Sequence, residues 1–185
     1  FVQLGQKAAR DGTSYGSDDG SITPGTPSLV DNSGNDVLSF ASQADLDAAL
    51  AKGHIEGGDG IDTLRLTGKG MRLDLSNHAS TPGVDQDVNN YEKFDLGTGG
   101  KNALIMSVND VLAQGQTNAF TVNGRTQVMV LGDNTNSLTL SHLVDHGGDT
   151  GNWASGGTVL VDGEIAGAIN RLPGKGEIRS NLAAG

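Results

Sequence analysis

Gly57-Gly58-Asp59-Gly60-Ile61-Asp62-Thr63-Leu64-Arg65 is the stretch on which the reading of this chain turns. Its glycines reach backbone conformations closed to other residues, so carbonyls can turn inward, while Asp59 and Asp62 bring hard oxygen donors suited to calcium. Leu64 and Leu66 then alternate with Arg65 as residues of a strand do. The whole fits the nonapeptide GGxGxDxLx, a calcium-binding turn of parallel β-rolls. Each ion of such a roll lies between successive turns, so one copy supplies only part of a coordination shell.

Partners for that turn are sought in other acidic turns. The loop Asp31-Asn32-Ser33-Gly34-Asn35-Asp36 alternates oxygen donors like part of an EF-hand, but is too short and lacks the Glu at position twelve. Asp31, Asp36 and the Asp133 turn are therefore the candidate ligands that join Asp59 and Asp62. Four segments repeat one pattern, an Asp or Asn followed by Leu at the second place and an apolar residue at the fourth. They are Asp36 to Phe40, Asp62 to Leu66, Asn102 to Met106 and Asn136 to Leu140. Their unequal spacing excludes a regular tandem array and fits either a degenerate solenoid or turns that merely enter strands alike.

Short apolar runs at 63–67, 71–75, 91–96, 102–106, 119–123, 126–131, 137–141 and 158–162 read as strands. The run Ala103-Leu104-Ile105-Met106 predicts a strand buried on both faces. Ser42 with Asp45, and Ser107 with Asp110, resemble capping boxes that open helices over 43–52 and at 107–114. Residues 1–10 suggest a third short helix. The expected fold is mainly β, an irregular β-sandwich or β-roll-like domain with two or three short helices. Residues 1–33 read as an N-terminal segment and Gly/Ser/Pro-rich loop, 34–170 as a calcium-binding β domain, and 171–185 as a C-terminal tail.

The 185 residues carry a formal net charge of -10, which opposes a phosphate-tracking surface, so nucleic acid is not an expected partner. With no cysteine, disulfides and thiolate metal sites are excluded, and bound calcium is a natural source of stability. No run is apolar for the roughly 20 residues that a membrane helix needs, so membrane insertion is not expected. The start at Phe1 without Met reads as an internal or processed segment. His142 and His146 stand four apart beside Asp145 and Asp149, but Gly147 and Gly148 oppose a helix there, so they read as loop residues and not as a zinc site. Catalytic residues are not expected. Trp153, the one tryptophan, lies with Asp149 and Asn152 in a polar, glycine-rich segment. It suits either a ligand-stacking surface or a lid over the core.

The order of segments 57–75, 89–113, 120–133 and 151–157 resembles the distal region of large RTX adhesins of Gram-negative bacteria. That resemblance implies type I secretion, residence at the cell surface, flanking adhesin domains and calcium ligation by Asp59 and Asp62. It also implies a peptide-binding or glycan-binding module facing a host or neighbouring cell, but no motif carried by the resemblance marks the contacts; Trp153, Asp149 and Asn152 are the candidates from the reading of their own segment. Alternatives are a structural spacer or capping module, and an extracellular enzyme acting on polysaccharide.

Overall fold

Leu38 and Phe40, Leu64 and Leu66, Phe94 and Leu96, and Val128 and Val130 repeat an apolar residue at every second position, and all eight are buried. Strands of this pattern present one face inward, and stacking their equivalents builds a continuous core. The computed structural model of the chain describes residues 13–15, 21–22, 28–30, 34–51, 55–75, 88–140 and the strand residues 154–155, 159–161, 164–166, 170–171 and 176–180.

Successive turns of the chain supply strands to three sheets. The first sheet holds β1 (Thr13–Tyr15), β3 (Ser28–Val30), β5 (Ile55–Glu56) and β8 (Val88–Asn89), all parallel. The second holds β2 (Ser21–Ile22), β4 (Val37–Phe40), β6 (Thr63–Leu66), β9 (Lys93–Asp95), β12 (Thr126–Leu131) and β18 (Gly176–Ser180), also parallel. It is extended by the antiparallel strands β17 (Asn170–Arg171) and β14 (Ala154–Ser155), and β11 (Gln116–Thr117) pairs antiparallel with β12. The third comprises β7 (Arg72–Asp74), β10 (Ala103–Met106) and β13 (Ser137–Leu140), again parallel. A separate hairpin joins β15 (Val159–Val161) to β16 (Glu164–Ala166). Two complete turns are thus β5-β6-β7 and β8-β9-β10.

Register puts like side chains in columns. Leu38, Leu64, Phe94 and Val130 align across the second sheet, and Leu73, Leu104 and Leu138 across the third. The mainly β expectation is met, and pairing between successive turns is parallel, as in a roll. Turn length varies, with 26 residues from Val37 to Thr63, 30 from Thr63 to Lys93 and 36 from Lys93 to Met129. Insertions between strands absorb the difference.

Two helices occur among the described residues, α1 (Gln43–Ala51) and α2 (Val108–Gln114). Both open as the Ser/Asp pairs predict. The Ser42 hydroxyl accepts from Asp45 N–H at 3.2 Å. Ser107 accepts from Asp110 N–H, while the Asp110 carboxylate accepts from Ser107 N–H. Leu46 and Ala49 anchor α1, and Val111 anchors α2.

Four expectations change. Residues 13–15, 21–22 and 28–30, read as part of an N-terminal segment and loop, form β1, β2 and β3, with β2 paired to β4 and β3 to β5. Residues 119–123 are bends, because the side chain of buried Gln127 takes the N–H groups of Phe120 and Thr121 that a ladder would need. Strand β10 alternates, with Leu104 and Met106 inward and Ala103 and Ile105 half-exposed, since the third sheet has the core on one side only. Residues 176–180, read as tail, form β18 against β12, with Ile178 fully buried. The helix expected over residues 1–10 lies outside the described residues.

Leu64 sits on an interior strand of the second sheet, between β4 and β9, with no exposed surface. Leu64→Ala should cost about 2–5 kcal/mol in urea unfolding, whereas Val122→Ser, at a position 91% exposed, should change stability by less than about 0.5 kcal/mol.

Candidate functional site

The nonapeptide forms the corner by which the chain passes from the first sheet to the second. Residues 34–36 make this corner one turn earlier and residues 90–92 one turn later. The three corners approach so closely that a side chain is impossible at two of the glycines. A Cβ on Gly60, whose φ is +155°, would stand 1.7 Å from the Gly34 carbonyl oxygen, and one on Gly57 would stand 2.0 Å from that of Asn90. Gly34 N–H donates to the Asp59 carbonyl at 2.9 Å, and Gly57 N–H to that of Asn89 at 3.0 Å.

Acidic side chains tie these corners together. Asp36 N–H donates to Asp62 Oδ1 at 2.8 Å, and Asp62 N–H donates to Glu92 Oε2 at 3.0 Å. Each carboxylate therefore holds the backbone of the preceding turn. Asp36, Asp62 and Glu92 are all buried, at 2%, 0% and 5% exposure. Asp62 Oδ2 is enclosed and has no hydrogen-bond partner. Glu56 Oε1 accepts from Asn90 Nδ2 beside them, and the Asp59 side chain is exposed.

The second corner, between the second and third sheets, does the same work with amides. Asn102 Oδ1 accepts from Met71 N–H at 2.8 Å, and Asn136 Oδ1 accepts from Asn102 N–H at 2.9 Å. The spare amide group also finds acceptors, since Asn102 Nδ2 donates to the carbonyls of Gly68 and Leu96, each at 2.9 Å. Asn136 Nδ2 donates to the Gly97 carbonyl at 2.7 Å and to Asp133 Oδ1 at 3.0 Å.

Charge follows from these surroundings. Burial raises the Asp62 carboxyl to about 6, opposed by the hydrogen bond from Asp36 N–H and reinforced by the charges of Asp36, Glu56 and Asp59. Glu92 is raised to about 7, again chiefly by burial, against the hydrogen bond from Asp62 N–H and with the charges of Asp62 and Glu56 adding to the rise. The hydroxyl of Thr135, then Gly99 N–H, hold Asp133 below the usual carboxylate range.

The sequence-derived ligands are thereby sorted. Asp36, Asp59 and Asp62 meet at the acidic corner, whereas Asp133 lies on the amide corner, where its carboxylate binds Gly99 N–H and Thr135. Asp31, Asp149, Asn152 and Trp153, with His142 and His146, lie outside the described residues. Among the described residues, no three His, Asp or Glu side chains are arranged as a metal cage. Comparison with protein-family models, with curated proteins and with solved structures gave no match.

Glu92 was missed in the sequence. Its signal is Glu92-Lys-Phe-Asp-Leu96, which repeats the Asp62-Thr-Leu-Arg-Leu66 pattern with Glu for Asp and Phe for Leu. Only a search restricted to Asp or Asn followed by Leu passes over it. Glu56 had no comparable signal.

Stability should depend on pH with a definite sign. Asp62 and Glu92 bind protons more tightly in the fold than in the unfolded chain, so their contribution is fullest below the unfolded carboxylate range near pH 4. It declines as pH rises through 6 and 7. Denaturant unfolding in chelator should show a loss on the order of 1–3 kcal/mol across that window. Asp62→Asn keeps the acceptor for Asp36 N–H and should flatten the profile; an unchanged slope would exclude Asp62 as its source.

Proposed function

We propose that this chain is a calcium-dependent, non-enzymatic module of a secreted bacterial adhesin of the RTX type, displayed at the cell surface between flanking adhesin domains. The observation that carries the calcium reading is the difference between the two corners. One backbone task is performed by neutral, fully bonded asparagines at one corner and by buried carboxylates at the other. Burial of a carboxylate is unfavourable unless a proton or a cation compensates it, and Asn102 and Asn136 demonstrate that no charge is needed to hold a turn. A hard divalent cation is the natural compensation for oxygen donors beside a glycine turn. Asp62, through its unpartnered Oδ2, and the exposed Asp59 are the residues that would meet it.

Because the ion would bind only the folded corner, calcium at about one hundred times its dissociation constant should add about 2.7 kcal/mol of stability. Thermal unfolding with calcium and with excess chelator checks this. The midpoint should rise with calcium in the wild type and hardly move in Asp62→Asn; superimposable wild-type curves would remove calcium from the proposal.

The ligand would be a peptide or glycan of a host or neighbouring cell, met by the segment that holds Asp149, Asn152 and Trp153. In an acidic module, a bound cation also offsets the repulsion of an anionic ligand. A second reading, a spacer with no external ligand, is favoured by the unbroken parallel stacking from β2 to β18, which gives a stiff element between neighbours. Screening the calcium-loaded chain against peptide and glycan arrays separates the two. Binding weakened by Trp153→Ala supports recognition, and silence across both arrays supports the spacer.

A further inference from the structure

The third sheet is shorter than its neighbours, and a side chain marks where it stops. In the turn that carries β3 and β4, the place of a third-sheet strand before β7 is taken by α1. The first helical residue, Gln43, lies against the edge of β7 that has no partner strand among the described residues. Its Oε1 accepts from Arg72 N–H at 2.7 Å, and its Nε2 donates to the Arg72 carbonyl at 3.1 Å. One amide thus meets both polar groups of one residue, which in a parallel ladder would bond to two peptide groups of the neighbouring strand. The other proton of Nε2 goes to Asp47 Oδ1 at 2.8 Å, so the side chain is saturated.

The first sheet stops in the same way at its other end. After β8, β9 and β10 the chain makes α2 in place of the next first-sheet strand, and the last helical residue, Gln114, lies buried beside Val88 and Tyr91. Its Oε1 accepts from Tyr91 N–H at 3.3 Å, and its Nε2 donates to the Val88 carbonyl. Two sheets, at opposite ends of the coil, are therefore closed by a glutamine borne on a short helix.

A parallel edge with free N–H and C=O groups is a template for another strand. In this fold the danger has a direction. All three strands of the third sheet are parallel, so a β13 edge of one copy matches the β7 edge of the next in polarity, and such head-to-tail contacts do not close into a ring of two. Helix α1 is a small barrier against this. Its apolar anchors are Leu46 and Ala49, with Leu50 half-buried, and a helix of nine residues has little stability of its own.

We propose that α1 is an edge lid, locked by the Gln43 amide, that keeps β7 from pairing with a strand of a second copy of this chain. Opening the lid exposes a parallel edge and converts a single module into head-to-tail assemblies. The lid is local to the β4–β7 region and independent of calcium at the acidic corner.

Gln43→Ala removes both bonds to Arg72 at a position where alanine is fully compatible with a helix. Amide hydrogen exchange and sedimentation velocity over a concentration series, both in chelator, read the outcome. In the variant the Arg72 amide should exchange about tenfold faster, and the sedimentation coefficient should climb with concentration. Leu46→Ala, which loosens the helix but leaves Gln43 in place, should move both readouts in the same direction. Asp47→Ala, which spares the bonds to Arg72, should move neither. Arg72 exchange that stays at the wild-type rate in Gln43→Ala overturns the proposal, as does faster exchange in a chain that remains a monomer at every concentration. Circular dichroism identifies a variant that has merely unfolded, and Gln43→Glu then replaces it. Glutamate keeps the acceptor for Arg72 N–H and loses the donor, so its Arg72 exchange should fall between wild type and the open edge; exchange equal to wild type overturns the proposal.

Discussion

One interaction recurs at the two described kinds of corner, from the first sheet to the second and from the second to the third, and sets the spacing between them. The N–H of the residue that enters a strand is held by the side chain of its equivalent one turn later, as in Asp36 to Asp62, Asp62 to Glu92, Met71 to Asn102 and Asn102 to Asn136. A backbone ladder alone fixes strand against strand, but at a corner the chain changes sheet and the ladder is interrupted. The side-chain bond carries the register across that gap. Close approach follows from it, and so does the need for glycine at 57 and 60, where the neighbouring carbonyl occupies the volume of a Cβ. The columns Leu38-Leu64-Phe94-Val130 and Leu73-Leu104-Leu138 are consequences of a register fixed at the corners.

Two corners built on one geometry but with different chemistry give an internal control. Asparagine satisfies a donor and two acceptors around it, and the amide corner leaves its polar atoms bonded. A carboxylate in the same place has no N–H to offer. Its second oxygen must find a donor, a proton or a cation, and at Asp62 no donor is present. Burial is what chiefly raises Glu92 to about 7, and the charges of Asp62 and Glu56 beside it add to that rise. The acidic corner therefore buries carboxylates whose pKa burial raises, whereas the asparagines that hold the amide corner carry no charge.

Much of this was legible in residue order. Strand positions in 63–67, 71–75 and 126–131 follow from alternation and that in 102–106 from a continuous apolar run, and both capping pairs announced their helices. The repeated pattern at Asp36, Asp62, Asn102 and Asn136 was visible too, but as one set of four. The structure divides it into two pairs on two corners, because one turn of the coil presents the same pattern twice. Met71-Arg-Leu-Asp-Leu75 and Glu92-Lys-Phe-Asp-Leu96 complete the sets, and neither begins with Asp or Asn. Sequence spacing cannot assign a copy to a corner, since turns of 26 to 36 residues differ by more than a strand length. The lids were equally hidden. Gln43 and Gln114 read as ordinary polar positions of a helix, and their roles exist only because a sheet edge arrives beside them.

Helices in place of strands also explain why a coil with irregular turns still ends its sheets cleanly. Continuing a sheet by one strand offers backbone hydrogen bonds and leaves a new edge of the same kind. A helix satisfies its own backbone internally, so it occupies the position without presenting a further edge, and a single glutamine is enough to answer the last one. The cost is a few residues of helix with a small apolar anchor, Leu46 and Ala49 in one case and Val111 in the other. The two lids stand at opposite ends, α1 before β7 and α2 after β8, so the first and third sheets are each closed on one side while the second sheet runs through all the turns from β2 to β18. Continuity of the second sheet gives the stack its axis, and along that axis the third sheet starts only after α1 and the first sheet stops at α2.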